Sequence, residues 1–231
     1  MDISTLARLP ASGAPELLFL LFHGAGNDAH SMTDLAQRLV KEYPQSAVLC
    51  IDAPLKSTAQ AGARDWFAAD DRSAAFLALP GFISIVRELQ SRFGIGWERT
   101  ALFGFAQGAT MALEAVQAER DLAGRVLAFS SRPVSVPVRA PEDTTHHFFH
   151  GLNDAVQHHG PAVDSARRLL ALGGDVTADV LPGIGHELHP SLVDKAIEQL
   201  RTFLPKKVWR EAAAEAPLIP RVASSDELGA D

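Results

Sequence analysis

Thr100-Ala101-Leu102-Phe103-Gly104-Phe105-Ala106-Gln107-Gly108-Ala109-Thr110-Met111-Ala112-Leu113 is the stretch on which the reading of this chain turns. An apolar run ends at Gly104, a glycine-flanked turn follows, and an alanine-rich segment with helical spacing begins. That order predicts a strand, a sharp elbow and a helix. Ala106 stands at the centre of the turn, in a Gly-x-Ala-x-Gly frame. Such a pattern is trivial by itself, so its meaning rests on what the rest of the chain supplies.

The 231 residues, 47% apolar and 21% charged, suit an α/β unit with a substantial core. Residues 1–204 read as one domain, and 205–231 as an Ala/Glu/Asp-rich tail that is partly disordered. A net charge of −7 speaks against a nucleic-acid-binding face, which needs a basic surface. Cys50 is the only cysteine, which excludes an intrachain disulfide and points to a reducing, cytoplasmic setting. Leu17 to Phe22 is too short for a signal core or a membrane span, and His23-Gly24 stops it. The sequence leaves open whether the chain forms a homo-oligomer.

Leu17 to Phe22 is a continuous apolar run, the mark of a strand buried on both faces. A helix with Leu35, Leu39 and Val40 on one side follows, with Ser31 and Asp34 as its capping box. Ala47 to Ile51 reads as a strand, Leu55 to Asp71 as a loop, and Ser73 to Phe93 as helix broken at Pro80-Gly81. Beyond the elbow come a strand at Arg125 to Ser130, a proline-rich connection and a strand at Thr145 to His150. A helix at Pro161 to Leu172, a strand at Val176 to Leu181, and a last helix carrying Val193, Ile197, Leu200 and Leu204 complete the pattern. Strands alternating with helices imply a mostly parallel central sheet with helices on both faces. Ligand groups in such sheets sit beyond the carboxyl ends of the strands.

Those ends carry a consistent set: His23-Gly24-Ala25, the elbow, Asp154 after Gly151, and His186 after Gly183-Ile184-Gly185. The elbow frame is the one that presents a serine in G-x-S-x-G, and nucleophile, acid and base then follow in the order elbow, Asp154, His186. A serine hydroxyl needs an imidazole to take its proton, and the imidazole needs a carboxylate to fix its tautomer. The developing oxyanion needs backbone amides already aimed at it. Those of Ala25 and Gln107 are placed for this, the second at the positive end of a helix. Taken singly, Asp154 is as well explained as a helix cap, and His-Gly after a strand as a plain turn. Order, placement and spacing together favour the joint reading.

Two other groups invite a role. His146, His147, His150, His158 and His159 cluster, and His146 and His150 share a strand face, but no cysteine or patterned carboxylate completes a metal set. No metal is expected. Trp66 and Phe67 are candidates for an apolar acyl pocket, with loop packing as the plain alternative.

The segments LLFLLFHGAGN, GARDWF, ALFGFAQGATMALEA, FFHGLNDAV and LPGIGHE resemble the bacterial serine carboxylesterases of the phospholipase/carboxylesterase family, related to acyl-protein thioesterases. The resemblance spans most of residues 17–204 and implies an α/β-hydrolase fold and hydrolysis of small-molecule carboxylic esters without a cofactor. It places the nucleophile at Ala106, where the family has serine in G-F-S-Q-G, the acid at Asp154 and the base at His186. Oxyanion donors fall on the Ala25 and Gln107 amides, and His23, Gly24, Trp66 and Phe67 fall in the substrate-binding region. Alanine has no group to attack a carbonyl, and losing the nucleophile in the subtilisin example costs about a millionfold in turnover. Since acid, base and oxyanion loop are all retained, the alanine reads as a serine-to-alanine substitution that leaves the chain inactive. A natural pseudoenzyme that binds a ligand without cleaving it is the alternative.

Overall fold

The computed structural model describes residues 5–58, 61–68, 71–208 and 211. Among them, strands β1 (Thr5–Arg8), β2 (Leu17–Phe22) and β3 (Ser46–Ile51) lead into a short hairpin, β4 (Leu55–Lys56) and β5 (Arg64–Asp65). Strands β6 (Thr100–Phe105), β7 (Arg125–Phe129), β8 (Thr145–Gly151) and β9 (Asp175–Leu181) follow. The helices are α1 (Thr33–Glu42), α2 (Ala75–Phe93), α3 (Gln107–Ala118), α4 (Gly160–Ala171) and α5 (Pro190–Thr202). One seven-stranded sheet runs in the order β1-β3-β2-β6-β7-β8-β9. Its only antiparallel pair is β1 on β3.

The apolar run of β2 shows why the sheet is covered on both sides. Leu18, Leu20 and Phe22 point into a core with α2, α3 and α4, while Phe19 and Leu21 point into another with α1 and α5. A strand whose every side chain is buried needs no alternation, and none is present in its sequence. Its centre is unforgiving: cutting a buried leucine such as Leu20 to alanine costs about 2–5 kcal/mol.

Several expectations meet a different outcome. Helix α2 runs unbroken through Pro80, which lies on the exposed side of its second turn, so the carbonyl left without a donor reaches water. The capping box at Ser31 is absent: a 3₁₀ turn capped by Asp28 precedes α1, and Ser31 Oγ donates to the Asp28 carbonyl. Leu204 lies past the end of α5 and is exposed. Strand β1 and the β4–β5 hairpin went unread. The expected disordered tail falls outside the described residues beyond Val208, Glu211 excepted. Its first residues are held to the fold, with Lys206 N donating to Asp175 Oδ2 at 2.7 Å and Lys207 Nζ over the Trp97 ring at 5.4 Å. No helix among the described residues is long and apolar enough to cross a membrane.

Candidate active site

A tight elbow joins β6 to α3. Ala106 sits at φ 47°, ψ −109°, a conformation that L-residues avoid and that survives only where the surroundings over-determine it. Its amide donates to the Phe129 carbonyl at 3.0 Å, and its carbonyl accepts from Thr110 N at 3.0 Å. Both flanking glycines are required by space. A Cβ on Gly104 would come within 2.3 Å of the Ala109 backbone, and one on Gly108 within 2.3 Å of the Phe22 carbonyl. The glycines let strand, helix and the neighbouring loop close up and push residue 106 out at the strand end.

Asp154 follows β8 and His186 follows β9. Asp154 Oδ1 accepts from the amides of Val156 and Gln157 at 3.0 and 2.8 Å, and Oδ2 accepts from His186 Nδ1 at 2.8 Å. The carboxylate side chain is fully buried. Burial pushes its carboxyl up, but the Gln157 amide, the bond and charge of His186 and the Val156 amide outweigh it and hold it below the usual range. A carboxylate at Nδ1 requires the proton there, which leaves Nε2 as the basic nitrogen. The imidazole lies 4.9 Å from the Phe105 ring, and its side chain is 19% exposed.

The amides of Ala25 and Gln107 find no acceptor among the described residues. Gln107 N opens α3, where backbone amides are free and the helix dipole favours negative charge. The loop carrying Ala25 is fastened from the side by the β4–β5 hairpin. Gly26 N donates to Asp65 Oδ1 at 2.8 Å and Arg64 N to the Asn27 carbonyl at 2.7 Å.

A cavity of about 430 Å³ joins these pieces, lined among others by Ala25, Phe67, Ala106, Gln107 and His186. Gly24 also lines it. Two of the residues expected in the substrate-binding region do not line this cavity. His23 is buried outside the cavity, its Nε2 accepting from Ala53 N at 3.0 Å and its Nδ1 donating to the Gly24 carbonyl at 2.7 Å. Burial lowers its pKa against the pull of the Gly24 carbonyl and nearby aspartates, so it is neutral and holds the loop in shape. Trp66 is also buried, its Nε1 donating to the His23 carbonyl at 2.9 Å. It faces a second, apolar cavity of about 400 Å³, lined also by Leu55, Leu77, Phe82 and Ile85. Phe67 lines both cavities.

Sequence reasoning used only the backbone of Gln107 and missed its side chain. Oε1 accepts from Trp66 N at 2.6 Å and Nε2 donates to the Phe67 carbonyl at 2.8 Å, which fixes the wall between the cavities. His150 was likewise read only as a metal candidate. Its Nε2 donates to the Gln157 carbonyl at 2.6 Å and lies 3.4 Å from Asp154 Oδ2, the oxygen that holds His186. Among the described residues no group of three His, Cys, Asp or Glu is arranged to hold a metal.

A mostly parallel sheet of this order, a strained turn after β6, and a carboxylate after β8 bonded to a histidine after β9 define the α/β-hydrolase fold. Sequence comparison narrows the class: residues 10–204 match the phospholipase/carboxylesterase family model, and the chain belongs to that family. Esterase YpfH of Escherichia coli K12 is 38% identical over 213 residues, covering 90% of this chain and 91% of that protein. Among solved structures, esterase PE8 superposes with a TM-score of 0.81 at 25% identity, covering 88% of this chain and 100% of that one. A Bacillus cereus carboxylesterase at 16% identity shares the fold, with a TM-score of 0.71 over 85% of this chain and 92% of its own.

Proposed function

We propose that the parent of this chain carries serine at position 106 and hydrolyses carboxylic esters through an acyl-enzyme. The chain with Ala106 then binds the ester without cleaving it. One observation carries the reading: the strained backbone at residue 106 shares a cavity with a carboxylate-held imidazole and two unclaimed amides. Backbone strain of this kind costs on the order of 1–3 kcal/mol, and an alanine gains nothing from it.

With serine in place, Oγ attacks the ester carbonyl while His186 Nε2 takes its proton. The tetrahedral oxyanion accepts hydrogen bonds from the Ala25 and Gln107 amides, which are unpaired beforehand and need no reorganisation. Collapse expels the alcohol, protonated by His186. Water, deprotonated by the same nitrogen, then attacks the acyl carbonyl and releases the acid and the serine. Asp154 holds Nδ1–H throughout and stabilises the imidazolium. The apolar cavity beyond Phe67 is the place for an acyl chain longer than the first cavity accommodates. Residues 1–204 act as one domain, and the unpaired, buried Cys50 suits a reducing compartment.

The test is Ala106→Ser, assayed on aryl esters of graded acyl length. The serine form is expected to gain at least about 10⁴-fold over the alanine chain. A serine form without hydrolysis, or one whose rate survives His186→Ala, defeats the reading. The alanine itself favours a second one, a non-catalytic binding module on a hydrolase fold, which predicts no gain from the serine.

A further inference from the structure

Arg72 stands in the wall of the cavity that holds Ala106, Gln107 and His186. It opens a 3₁₀ turn whose entry is fixed by Asp71, with Oδ1 accepting from Ser73 N at 2.8 Å and Ser73 Oγ at 2.6 Å. A guanidinium has five N–H donors in a planar fork. Here only Nη2 finds acceptors among the described residues, the Arg132 carbonyl at 3.1 Å and the Thr110 hydroxyl at 3.5 Å. Nε is buried without a partner, and Nη1 has none among the described residues.

The charge is as poorly matched as the donors. Arg72 forms no ion pair among the described residues. Glu114 attracts it without forming an ion pair among the described residues, and the Glu114 Oε1 accepts from the amides of Val134 and Ser135 at 2.6 and 3.2 Å. Burial, and then the like charge of Arg132, both weigh against the guanidinium. A half-buried cation with idle donors is unfavourable until something negative meets it.

We propose that Arg72 sets the specificity of this site by receiving a carboxylate carried by the ester substrate. A carboxylate matches the fork in shape and in charge. A phosphate dianion would bring a second negative charge, and no second lysine or arginine lines the cavity among the described residues. The inference rests on the esterase reading for where the ester lies, and its test separates the two.

The chain with Ala106 is titrated by calorimetry with two matched pairs of esters. 4-Nitrophenyl hydrogen glutarate against 4-nitrophenyl pentanoate places the carboxylate on the acyl side. 4-Acetoxybenzoate against phenyl acetate places it on the alcohol side. In at least one pair the charged member is expected to bind about tenfold to a hundredfold tighter, the range of a charge-assisted hydrogen bond. Arg72→Gln, with its fold checked by thermal melting, should remove the advantage, and Arg72→Lys should return part of it. Equal binding within both pairs, an advantage that survives Arg72→Gln, or tighter binding of an aryl phosphate overturns the proposal. The same pairs given to Ala106→Ser distinguish the failures. Hydrolysis without charge preference removes the role of Arg72 and leaves the esterase, whereas Arg72-dependent binding without hydrolysis does the reverse.

Discussion

Strand β8 and the loop after β9 put the same residue type to opposite uses. His146 and His147 on β8 are almost wholly buried, and neither ring reaches the cavity. Neither nitrogen of His146 has a well-formed hydrogen bond among the described residues, the Thr144 backbone being its nearest polar influence, and His147 uses only Nδ1, bonded to Thr177 Oγ1 at 2.8 Å. Burial lowers His146 to about 4, and burial with the charges of Arg125 and His146 lowers His147 to about 3. His186 instead stands at a strand end with one nitrogen held by a buried carboxylate and the other turned to a cavity. The two neighbouring histidines of β8 thus belong to the core, whereas His186 is presented to the cavity. The nature of the partner at Nδ1 makes the difference: a buried carboxylate for His186, a neutral hydroxyl for His147 and none among the described residues for His146.

The largest break in this contrast lies at the carboxylate. In the serine form, Asp154→Asn is expected to lower kcat on an aryl ester by about 10⁴-fold, because an amide no longer enforces the Nδ1–H tautomer. His146→Phe, which keeps a planar ring in the core at the cost of a slightly larger volume, should leave kcat within about threefold. Steady-state rates for the two variants decide the matter: a loss on His146→Phe comparable to that on Asp154→Asn would erase the distinction.

Next in size is the pH dependence of stability. In the unfolded chain a histidine binds its proton near pH 6.5, but in the fold His146 does so only near 4 and His147 only near 3. Between those values the unfolded state holds more protons, so stability falls as pH falls below about 6.5. The loss is about 1.4 kcal/mol per pH unit for each ring, or roughly 3 kcal/mol from His146 by pH 4. The lowered carboxyl of Asp154 acts in the same direction at more acid pH, since it keeps its bonds only while ionised. Urea unfolding at about pH 7, 5.5 and 4.5 should show the slope, and His146→Phe should flatten it. An unchanged slope would mean that His146 is not held neutral.

These two regions also show what a sequence exposes and what it hides. The apolar runs of β2, β3 and β6 were legible because a buried parallel strand writes itself as unbroken hydrophobicity. The elbow was legible because Gly104 and Gly108 are spaced by a collision that no other residue avoids. Asp154 and His186 followed from the rule that strand ends carry the chemistry. The β4–β5 hairpin was hidden, since two residues per strand leave no period to read, and what holds it is Asp65 reaching Gly26 across the chain. His23 was misread for a related reason. Its two backbone partners, at residues 24 and 53, turn an apparent binding residue into a brace, and the second is distant in sequence. Pro80 was overvalued as a breaker because exposure, which makes it tolerable, is a property of the folded helix.

His150 lies between the two classes and gives the finest test of the contrast. It belongs to β8 and is buried like its neighbours, yet its Nε2 donates to the Gln157 carbonyl and lies 3.4 Å from the Asp154 oxygen that holds His186. Acceptance by a carbonyl fixes that proton on Nε2, and Nδ1 is buried without a partner. Burial lowers its pKa, so it stays a neutral donor. At 3.4 Å the N–H makes no hydrogen bond to Oδ2, but its positive end lies near that oxygen and offsets a small part of the negative charge that faces His186. In the serine form His150→Phe removes that dipole and leaves the Asp154 charge that faces His186 less offset. The expected result is a loss of about threefold to tenfold in kcat/KM, a modest polar interaction, with the acid limb of the pH–rate profile moved to higher pH. His150→Gln keeps an N–H and should return the limb toward its original position. A limb that stays in place in His150→Phe would put His150 with His146 and His147, as packing alone.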